Sequence, residues 1–571
     1  MIADEFKEEI EEALVLLQKQ GKLSAGDLPE VEVEVPEIPE HGDYSTNIAL
    51  RLSKLTEQSP QETAHLIAGA LKHPVQVAQP GFLNMSVSLD RLAVEMAEIL
   101  KQKERYGKGS ESKKIVVEYS SPNIAKRFGI GHLRSTIIGQ AIYNLFSFQG
   151  NRTIGDNHLG DWGTQFGALI YQIERVLEGK SDSERKHFLL NLSVEEMERL
   201  YTEFHLQAEN NEKLRDDARA AFKRLEDGDT STREIWEASR RISLKEFDEI
   251  YSLLGVRIDH ALGEAFFEKD LTGIIEEVQK KGIAKESQGA LIVEFEDMPP
   301  AMLRKSDGAS TYFTRDLATA RYRLKKWEPD FVVIETGAEQ SLHFRQVFRT
   351  VELLGWAKEE GFFHVGHGLY RTKEGKFSTR RGKTVQLKEV LEDAIERAEE
   401  IIEGSATGGL DEYEKKEVAR MVGIGGVKYN DLVQHPRKDI VFEWDRILNL
   451  RGNSAAYIQY THARCQSILG KARTPRSSSY KDISPAETSL LRILQGFPLQ
   501  ARLASQRFSP NLMCSYAFSL AQAYNHFYQQ HRVLEAESKE AKDFRLCLTA
   551  ATAQILKTSL SLLGIEAPER M

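Results

Sequence analysis

A short segment near residue 130 carries side chains and glycines that can bind phosphate. In the sequence AKRFGIGH, Gly129 and Gly131 alternate with apolar residues, while Lys126, Arg127 and His132 add positive charge or hydrogen-bond donors. Glycine lets the backbone approach a ligand closely, and the unpaired N–H groups of a helix N-terminus attract an anion. The segment is neither a Walker loop nor a GxGxxG dinucleotide fingerprint. Taken alone, it is also compatible with a tight turn followed by a helix-capping histidine.

A second segment, KEGKFSTRRGK at residues 373–383, combines glycines and hydroxyl groups with positive charge. Its five cations are Lys373, Lys376, Arg380, Arg381 and Lys383. A mobile loop of this composition can grip a triphosphate while negative charge moves onto the leaving pyrophosphate. Without other evidence, the same pattern is typical of a solvated basic hairpin.

The residues around the first segment predict a strand, a loop, a helix and a second strand. Residues 115–119 are apolar and rich in β-branched side chains, a helical periodicity runs from His132 to Gly150, and Arg152 begins the next strand. This order is typical of a parallel, doubly wound α/β sheet, which binds ligands at the carboxyl end of its first strand. We expect residues 292–297 and 331–337 to add strands to the same sheet.

These motifs resemble a known enzyme family. The first segment is similar to the HIGH-motif region of class I aminoacyl-tRNA synthetases, and SSPNIAK, GHLRST and LGDWGTQFG are similar to arginyl-tRNA synthetases in particular. KFSTR, at residues 376–380, resembles a degenerate KMSKS loop. The resemblance covers nearly the whole chain, but Gly129 stands where the family usually has the first histidine of HIGH, and Arg127 where proline is common.

The resemblance implies ATP-dependent ligation of L-arginine to tRNA(Arg) through an arginyl-adenylate, and it implies that adenylate formation needs bound tRNA. It assigns catalytic roles to Lys126, His132, Lys376, Ser378 and Arg380. It assigns ATP binding to Asn123, Gly129, Gly131, His132 and Phe377. We expect Mg²⁺ to arrive with ATP as part of the substrate, held largely by phosphates and water, without a resident metal site.

The arginine site must satisfy a planar guanidinium, which requires carboxylates and planar acceptors. By resemblance, the residues of this site are Glu118, Asn123, Tyr312, Asp316 and Gln340. The chemistry agrees for Glu118 at a strand end and for Asp316 at the mouth of a helix. The other interpretation of each residue is a capping or salt-bridging side chain.

Gly129 leaves other hypotheses open. Loss of one preorganised donor to a transition-state oxyanion costs about 3–4 kcal/mol, and we hypothesise that Lys126 or Arg127 takes over the phosphate contact. A catalytically inactive relative that binds tRNA or arginine is the alternative function. A synthetase for another amino acid would need a pocket without the pair Glu118 and Asp316.

A chain of 571 residues is too long for one core, and we expect an α/β protein with an all-α part. Residues 1–108 are predicted to form an α+β appended domain, with a helix over 5–20 and a strand over 31–39; the resembled family uses this domain to contact the tRNA elbow. Residues 109–400 are predicted to form a Rossmann-type catalytic core with a helical insertion at about 175–290. Residues 401–571 are predicted to form a helical-bundle anticodon-binding domain.

The C-terminal part is more basic than the rest of the chain. Residues 440–571 contain 16 Lys and Arg against 10 Asp and Glu, whereas the whole chain has a net charge of −10. A basic end on an acidic body suits a polyanion, and aromatic side chains beside positive charge can stack on unpaired bases. The predicted tRNA contacts are Tyr457, Tyr460, Arg464, Tyr524 and Asn525, although about half of the aromatic residues should belong to the core.

The cellular setting is predicted from what the sequence lacks. Three cysteines lie far apart without CxxC spacing, which argues against a disulfide framework or a structural zinc site. The N-terminus has no signal-peptide pattern, and no apolar run reaches the length of a membrane span. We therefore expect a cytoplasmic monomer without membrane contact.

Overall fold

The structure is a computed structural model that describes residues 1–24, 26–36, 38–56, 58–124, 127–372, 375–376, 386–404, 409–475 and 480–571. Its N-terminal elements are α1 (Ile2–Lys19), β1 (Tyr44–Thr46), α2 (Ile48–Leu52), α3 (Pro60–Ala68), β2 (Val75–Ala78), β3 (Phe82–Met85) and α4 (Leu89–Gln102). The three strands form an antiparallel sheet in the order β1-β3-β2. The predicted helix over residues 5–20 is confirmed by α1.

The strand predicted over residues 31–39 is wrong for the residues that the structure describes. That stretch pairs only through an isolated antiparallel bridge between Glu34 and Ser45, and a short 3₁₀ turn covers Pro39–His41. Pro36 and Pro39 have no backbone N–H group to donate, so an alternation of valine and glutamate is not enough to build a ladder here.

The middle of the chain contains most of the strands. Its elements are β4 (Lys114–Glu118), α5 (Gly131–Phe148), β5 (Arg152–Asn157), α6 (Thr164–Leu177), α7 (Asp182–Asn191), α8 (Val194–Ala208), α9 (Glu212–Glu226), α10 (Thr230–Leu254), β6 (His260–Ala261), α11 (Glu264–Phe267), α12 (Leu271–Lys280), β7 (Ala284–Ser287), β8 (Ala290–Val293), β9 (Ala301–Arg304), α13 (Tyr312–Trp327), β10 (Phe331–Gly337), α14 (Ser341–Leu353), β11 (Phe362–His367), β12 (Tyr370–Thr372), β13 (Gly375–Lys376) and α15 (Leu387–Glu403).

A parallel sheet in the order β11-β10-β4-β5-β6 forms the centre of the molecule. The strand order reverses between β4 and β10, as in a doubly wound fold. Successive residues of β4 face opposite sides of the sheet: Ile115 and Val117 pack with α5 and the C-terminal helices, whereas Val116 packs with α12, α13 and α14. The predicted strand over residues 331–337 is confirmed by β10.

The strand predicted at residues 292–297 does not belong to the parallel sheet. Its first residues lie in β8, which pairs antiparallel with β7 and β9 in a separate sheet. Between β7 and β8, Gln288 and Gly289 both have positive φ, at 50° and 78°. Two residues of this conformation make a tight hairpin turn, so β8 pairs with its sequence neighbour.

The predicted helical insertion is present but shorter than expected. Helices α7–α10 account for residues 182–254, whereas β6 already belongs to the parallel sheet as its edge strand. Ser193 caps α8 by accepting a hydrogen bond from the N–H of Glu196 at 3.2 Å. The insertion therefore leaves the sheet after α6 and returns at β6.

The C-terminal part is helical and packs against both other parts. Its elements are α16 (Glu412–Leu432), β14 (Ile440–Val441), α17 (Trp444–Ile447), α18 (Ala455–Leu469), α19 (Pro485–Gln495), α20 (Phe497–Gln506), α21 (Asn511–Gln530) and α22 (Lys539–Leu562). Buried Arg134 on α5 pairs with Asp431 on α16, with 3.1 Å between Nε and Oδ1. The phenol of Tyr44 donates to Gln495 Oε1 at 2.5 Å, which ties the N-terminal sheet to α19.

Within the described ranges, no helix combines the length and the apolar composition that crossing a membrane requires.

Candidate active site

The point where the strand order reverses lies between the carboxyl ends of β4 and β10. Glu118 ends β4 and Gly337 ends β10, and the two strands are hydrogen-bonded neighbours. In an open α/β sheet, a crevice forms at this position because the connections from the two strands leave toward opposite faces. The segment SSPNIAK begins at Ser120, two residues after the end of β4.

The chain turns sharply as it leaves β4. Ser120 and Ser121 have φ values of 75° and 44°, which place two consecutive non-glycine residues in the left-handed region. Non-glycine residues keep this strained backbone conformation only where neighbouring groups stabilise it. The Ser120 N–H donates to Ser135 Oγ at 3.0 Å, and its hydroxyl lies 2.7 Å from the hydroxyl of Tyr251 on α10. The insertion thus holds the backbone that leads into the glycine-containing segment before α5.

The N-terminus of α5 is exposed. Gly131 begins this 18-residue helix, and Ile130 before it has no side-chain oxygen that could cap the first N–H groups. A Cβ at Gly131 would meet no heavy atom within 4 Å. The His132 ring packs edge-on against Phe128, with 5.1 Å between ring centroids. A long helix that begins beside open space can accept an anion; the predicted Lys126 lies outside the described residues.

The residues that follow the cationic segment lie against the loop that precedes α5. Lys376 ends β13, whose backbone pairs with β12, while Phe377, Ser378 and Arg380 lie outside the described residues. After this gap, Gln386 forms an antiparallel bridge with Gly129, and the Leu387 N–H donates to the Phe128 carbonyl at 2.9 Å. The structure therefore brings the residues that follow the second motif against the first motif.

Glu118 has a partner within the protein. Its Oε2 lies 2.5 Å from Nη1 of Arg323 on α13, and Nη2 of the same arginine donates to Asp156 Oδ2 at 2.6 Å. All three side chains are buried. An internal guanidinium therefore already pairs with Glu118, and the joint binding of a substrate guanidinium by Glu118 and Asp316 stays a prediction.

Three of the other predicted arginine-site residues lie at the starts of two helices. Tyr312 and Asp316 lie in the first turns of α13, and Gln340 directly precedes α14. Asp316 Oδ2 lies 2.6 Å from Nε2 of His343 on α14, so the two helix starts are in contact. Tyr312 is 64% exposed and Gln340 is exposed, which leaves both side chains accessible to a ligand.

Glu264 is a carboxylate that the sequence analysis missed. Burial raises its pKa to about 7, with further contributions from the negative charges of Asp316 and Asp161, against the opposing effects of His158 and Arg315. Its side chain is buried, and Oε2 has no hydrogen-bond partner among the described residues. The only signal in the sequence was its position shortly after β6, at the carboxyl edge of the sheet.

Asn123 and the LGDWGTQFG motif line the same edge of the sheet. Asn123 is exposed and forms a parallel bridge with Gly160, where an added Cβ would overlap the Asn123 Oδ1 atom. Buried Asp161 accepts from the Ala265 N–H at 2.9 Å and from Arg240 Nε at 3.1 Å. The motif therefore joins the end of β5 to the insertion and to α11.

Arg127 points toward carboxylates. Its guanidinium nitrogens lie 3.0 Å from Glu195 Oε1, 3.4 Å from Glu198 Oε2 and 3.6 Å from Glu389 Oε1. The hypothesis that Arg127 takes over a phosphate contact is therefore not supported by its surroundings. Lys126, the other candidate, is outside the described residues.

A cluster of aromatic and polar side chains lies on the C-terminal helices. Arg464 is stacked between Tyr460 and Tyr528, with 4.8 Å and 5.1 Å from Cζ to the ring centroids. Arg464 also donates to Asn525, whose amide donates to the Tyr457 hydroxyl at 2.9 Å. Four of the five predicted tRNA contacts thus share one cluster.

Tyr524 is the exception among those five residues. Its ring is fully buried, and its hydroxyl donates to Thr549 Oγ1 at 3.4 Å. A buried ring cannot stack on a base, so the structure places Tyr524 in the core of the helical domain. Tyr460 and Tyr528 are each 40% exposed and remain available.

Comparison with known families covers almost the entire chain. Residues 1–87 match the arginyl tRNA synthetase N-terminal domain, residues 95–444 match the catalytic domain of tRNA synthetases class I (R), and residues 458–571 match the DALR anticodon binding domain. The chain is 38% identical over 584 residues to the arginine–tRNA ligase of Chloroflexus aurantiacus, which covers 100% of this chain and 99% of that protein. It is 38% identical over 556 residues to the arginine–tRNA ligase of Clostridioides difficile, covering 95% of this chain and 96% of that protein.

Two solved structures share the fold. The arginyl-tRNA synthetase of Thermus thermophilus superposes with a TM-score of 0.85 at 24% identity, covering 100% of both chains. That of Plasmodium falciparum superposes with a TM-score of 0.83 at 23% identity, covering 100% of this chain and 99% of the other. The predicted architecture is therefore confirmed, from the class I catalytic core to the helical C-terminal domain. On these grounds the chain belongs to the arginyl-tRNA synthetase family of class I aminoacyl-tRNA synthetases.

Proposed function

We propose that the chain ligates L-arginine to tRNA(Arg) in two steps. The arginine carboxylate attacks the α-phosphate of ATP, which forms arginyl-adenylate and releases pyrophosphate. A ribose hydroxyl at the tRNA terminus then attacks the activated carbonyl and releases AMP. The 38% identity to arginine–tRNA ligases along the full chain carries this proposal, and the alternative of an inactive relative draws no support from the comparisons.

Neither step needs a nucleophile from the protein, because both substrates carry their own. Catalysis then depends on positioning the substrates and on directing positive groups toward the developing phosphate charge. The first N–H groups of α5, together with His132 and the predicted cations of residues 376–383, supply these groups in the proposal. Mg²⁺ enters with ATP and neutralises phosphate charge, held mostly by phosphate oxygens and water.

Arginine binding is assigned to the starts of α13 and α14. Asp316 and Glu264 provide negative charge, and the exposed Tyr312 and Gln340 provide polar contacts at the mouth of the site. Glu264 replaces Glu118 in this proposal because Glu118 is paired with Arg323. A buried carboxylate with an unpaired oxygen gains most from a cationic ligand, since the ligand compensates for its lost hydration.

The cluster around Arg464 is assigned to tRNA. Tyr460 and Tyr528 offer exposed ring faces, and the guanidinium between them is held in place by Asn525. Such a surface suits stacking with unpaired bases, which tolerates any base and is strengthened by positive charge. The proposed tRNA contacts are therefore Tyr457, Tyr460, Arg464 and Asn525, without the buried Tyr524.

The proposal is tested by aminoacylation with each of the twenty amino acids and total tRNA. We expect attachment of arginine alone, and pyrophosphate exchange that requires tRNA. The matched variant Asp316→Asn should lose arginine attachment while retaining tRNA binding. Attachment of another amino acid would contradict the proposal, and tRNA binding without any attachment would establish the inactive alternative.

The monomeric state and the cytoplasmic location belong to the same proposal. Size-exclusion chromatography with light scattering should give the mass of one 64.7 kDa chain. Cell fractionation should recover the protein with cytoplasmic markers.

A further inference from the structure

A glutamate on α8 connects the first segment that the proposed function assigns to ATP with a residue that follows the second. Glu198 Oε2 lies 3.4 Å from Nε of Arg127, and Glu198 Oε1 accepts a hydrogen bond from Gln386 Nε2 at 3.3 Å. Arg127 lies two residues before Gly129 at the start of the first segment, and Gln386 follows the cationic segment. One carboxylate therefore contacts Arg127 in the first segment and Gln386, which lies three residues after the cationic segment.

Backbone contacts join the same two parts of the chain as this side-chain link. Gly129 and Gln386 form an antiparallel bridge, and the Leu387 N–H donates to the Phe128 carbonyl at 2.9 Å. Phe128 is buried, and its ring packs edge-on against Phe247 on α10 at 5.4 Å. Two helices of the insertion, α10 and α8, thus contact the first segment.

The surroundings of Arg127 favour a structural link over a phosphate contact. Glu195 and Glu389 lie within 3.6 Å of its guanidinium in addition to Glu198. Nearby, burial raises the pKa of Glu246 to about 7, and the charge of Glu195 contributes to the increase. Several carboxylates around one arginine would repel a phosphate, whereas they hold the guanidinium in a single orientation.

The side chain of Arg127 does not constrain its own backbone. A proline at position 127 would fix the backbone φ angle without any side-chain partner. Arginine leaves that angle free, so the loop needs another constraint to keep Gly131 and His132 in place. The carboxylates on α8 and α15 supply such a constraint.

We propose that Arg127, acting through Glu198, is a positioning residue that holds the Gly129–His132 segment against Gln386 during adenylate formation. This inference rests on the proposed function. Removing either Arg127 or Glu198 breaks the contact between them, so the effects of the two substitutions are not independent. Their effects on catalysis must then overlap in a double-mutant cycle.

The test compares Arg127→Ala, Glu198→Ala and the double variant with the wild type in tRNA-dependent pyrophosphate exchange. We expect each single variant to lower kcat/KM for ATP about tenfold and the double variant to lose little more. Arg127→Lys should recover part of the loss, because it retains the charge. The control is Arg199→Ala on the same helix, whose partners Glu196 and Glu203 lie on α8 itself; it should remain within about twofold of wild type.

A second readout does not depend on activity. Hydrogen–deuterium exchange at residues 128–133 and 386–391 should be faster in Arg127→Ala and in Glu198→Ala, and unchanged in Arg199→Ala. Independent, additive losses would overturn the link and indicate a direct phosphate contact by Arg127. Unchanged kinetics and exchange in both single variants would overturn it as well. An inactive wild type with altered exchange in the variants would instead overturn the proposed function and leave the link supported.

Discussion

Arg323 on α13 forms an ion pair with Glu118 at the end of β4, with 2.5 Å between Nη1 and Oε2. Asp156 on β5 accepts two further hydrogen bonds from the same guanidinium, at 2.9 Å and 2.6 Å. The arginine is 2% exposed and its two carboxylate partners are buried. One internal guanidinium therefore connects two neighbouring strands with the helix that begins at the proposed arginine site.

Arg323→Met is expected to lower the free energy of unfolding by about 3–5 kcal/mol, because it leaves two buried carboxylates without a counter-charge. Urea-induced unfolding measures the loss. Arg321→Met on the same helix is the control, since its partners Asp270 and Glu277 are partly exposed, and it should cost less than about 1 kcal/mol. Equal losses in both variants would show that burial of the ion pair is not the cause.

The ionisation of Glu264 should control arginine binding. Its pKa is raised to about 7 by burial and by the charge of Asp316, so the carboxylate is protonated below this pH and cannot pair with a cation. We expect KM for arginine to fall as the pH rises through about 7. Steady-state kinetics at several pH values measures this.

Glu264→Gln should remove that pH dependence and raise KM for arginine above pH 7 by about tenfold or more, because a charge-assisted hydrogen bond is lost. Glu276→Gln, an exposed residue of α12, makes the same change of charge and should leave the profile unaltered. A Glu264→Gln profile that still follows the wild type would assign the dependence to another group.

The exposed cluster on the C-terminal helices should contribute to tRNA affinity. Tyr460→Ala removes a ring that is 40% exposed, and base stacking contributes about 1–3 kcal/mol per base. We therefore expect the Kd for tRNA(Arg) to increase roughly 5- to 150-fold, measured by filter binding. Tyr524→Phe, in the core, and Tyr413→Ala, exposed on α16, should leave the Kd unchanged; a loss in all three variants would point to general unfolding.

The pair His367 and Glu335 should make stability depend on pH. The imidazole Nδ1 lies 2.9 Å from Oε1 of the fully buried Glu335. Burial opposes protonation of His367, but the charge and hydrogen bond of Glu335 outweigh it, and the pKa of His367 is raised; Arg134 lowers it and Asp431 raises it by smaller amounts. A raised pKa means that the folded state holds this proton more tightly than the unfolded state.

The stabilisation from His367 is therefore fully present below about pH 6.5, the ordinary pKa of histidine, and it is lost as the pH rises through the raised value. Urea unfolding of the wild type and of Glu335→Gln across this range measures the difference. Their free energies of unfolding should converge as the pH increases. A gap that widens with increasing pH would mean that the pair is not protonated in the folded protein.

The sequence by itself determined the elements whose residues are neighbours in the chain. The β-branched run at 331–337 and the periodicity of α5 predict a doubly wound core, which the structure confirms. The anion site at the start of the first helix stays a prediction. Local patterns suffice because strand and helix periodicity depend on nearby side chains. Local patterns did not predict the pairing of β8, because a tight turn at Gln288 and Gly289 pairs it with the neighbouring strand β7.

Only the tertiary structure decided which charged and aromatic groups are available. Glu118 and Asp316 look equivalent in the sequence, yet Glu118 faces a buried arginine from a distant helix while Asp316 lies at the mouth of α13. Tyr524 and Tyr460 both belong to helices with several aromatic residues, yet Tyr524 is buried and Tyr460 is exposed. Packing between distant parts of the chain determines which partner a side chain has and which face of a helix is exposed to solvent. Residue type and spacing alone determine neither.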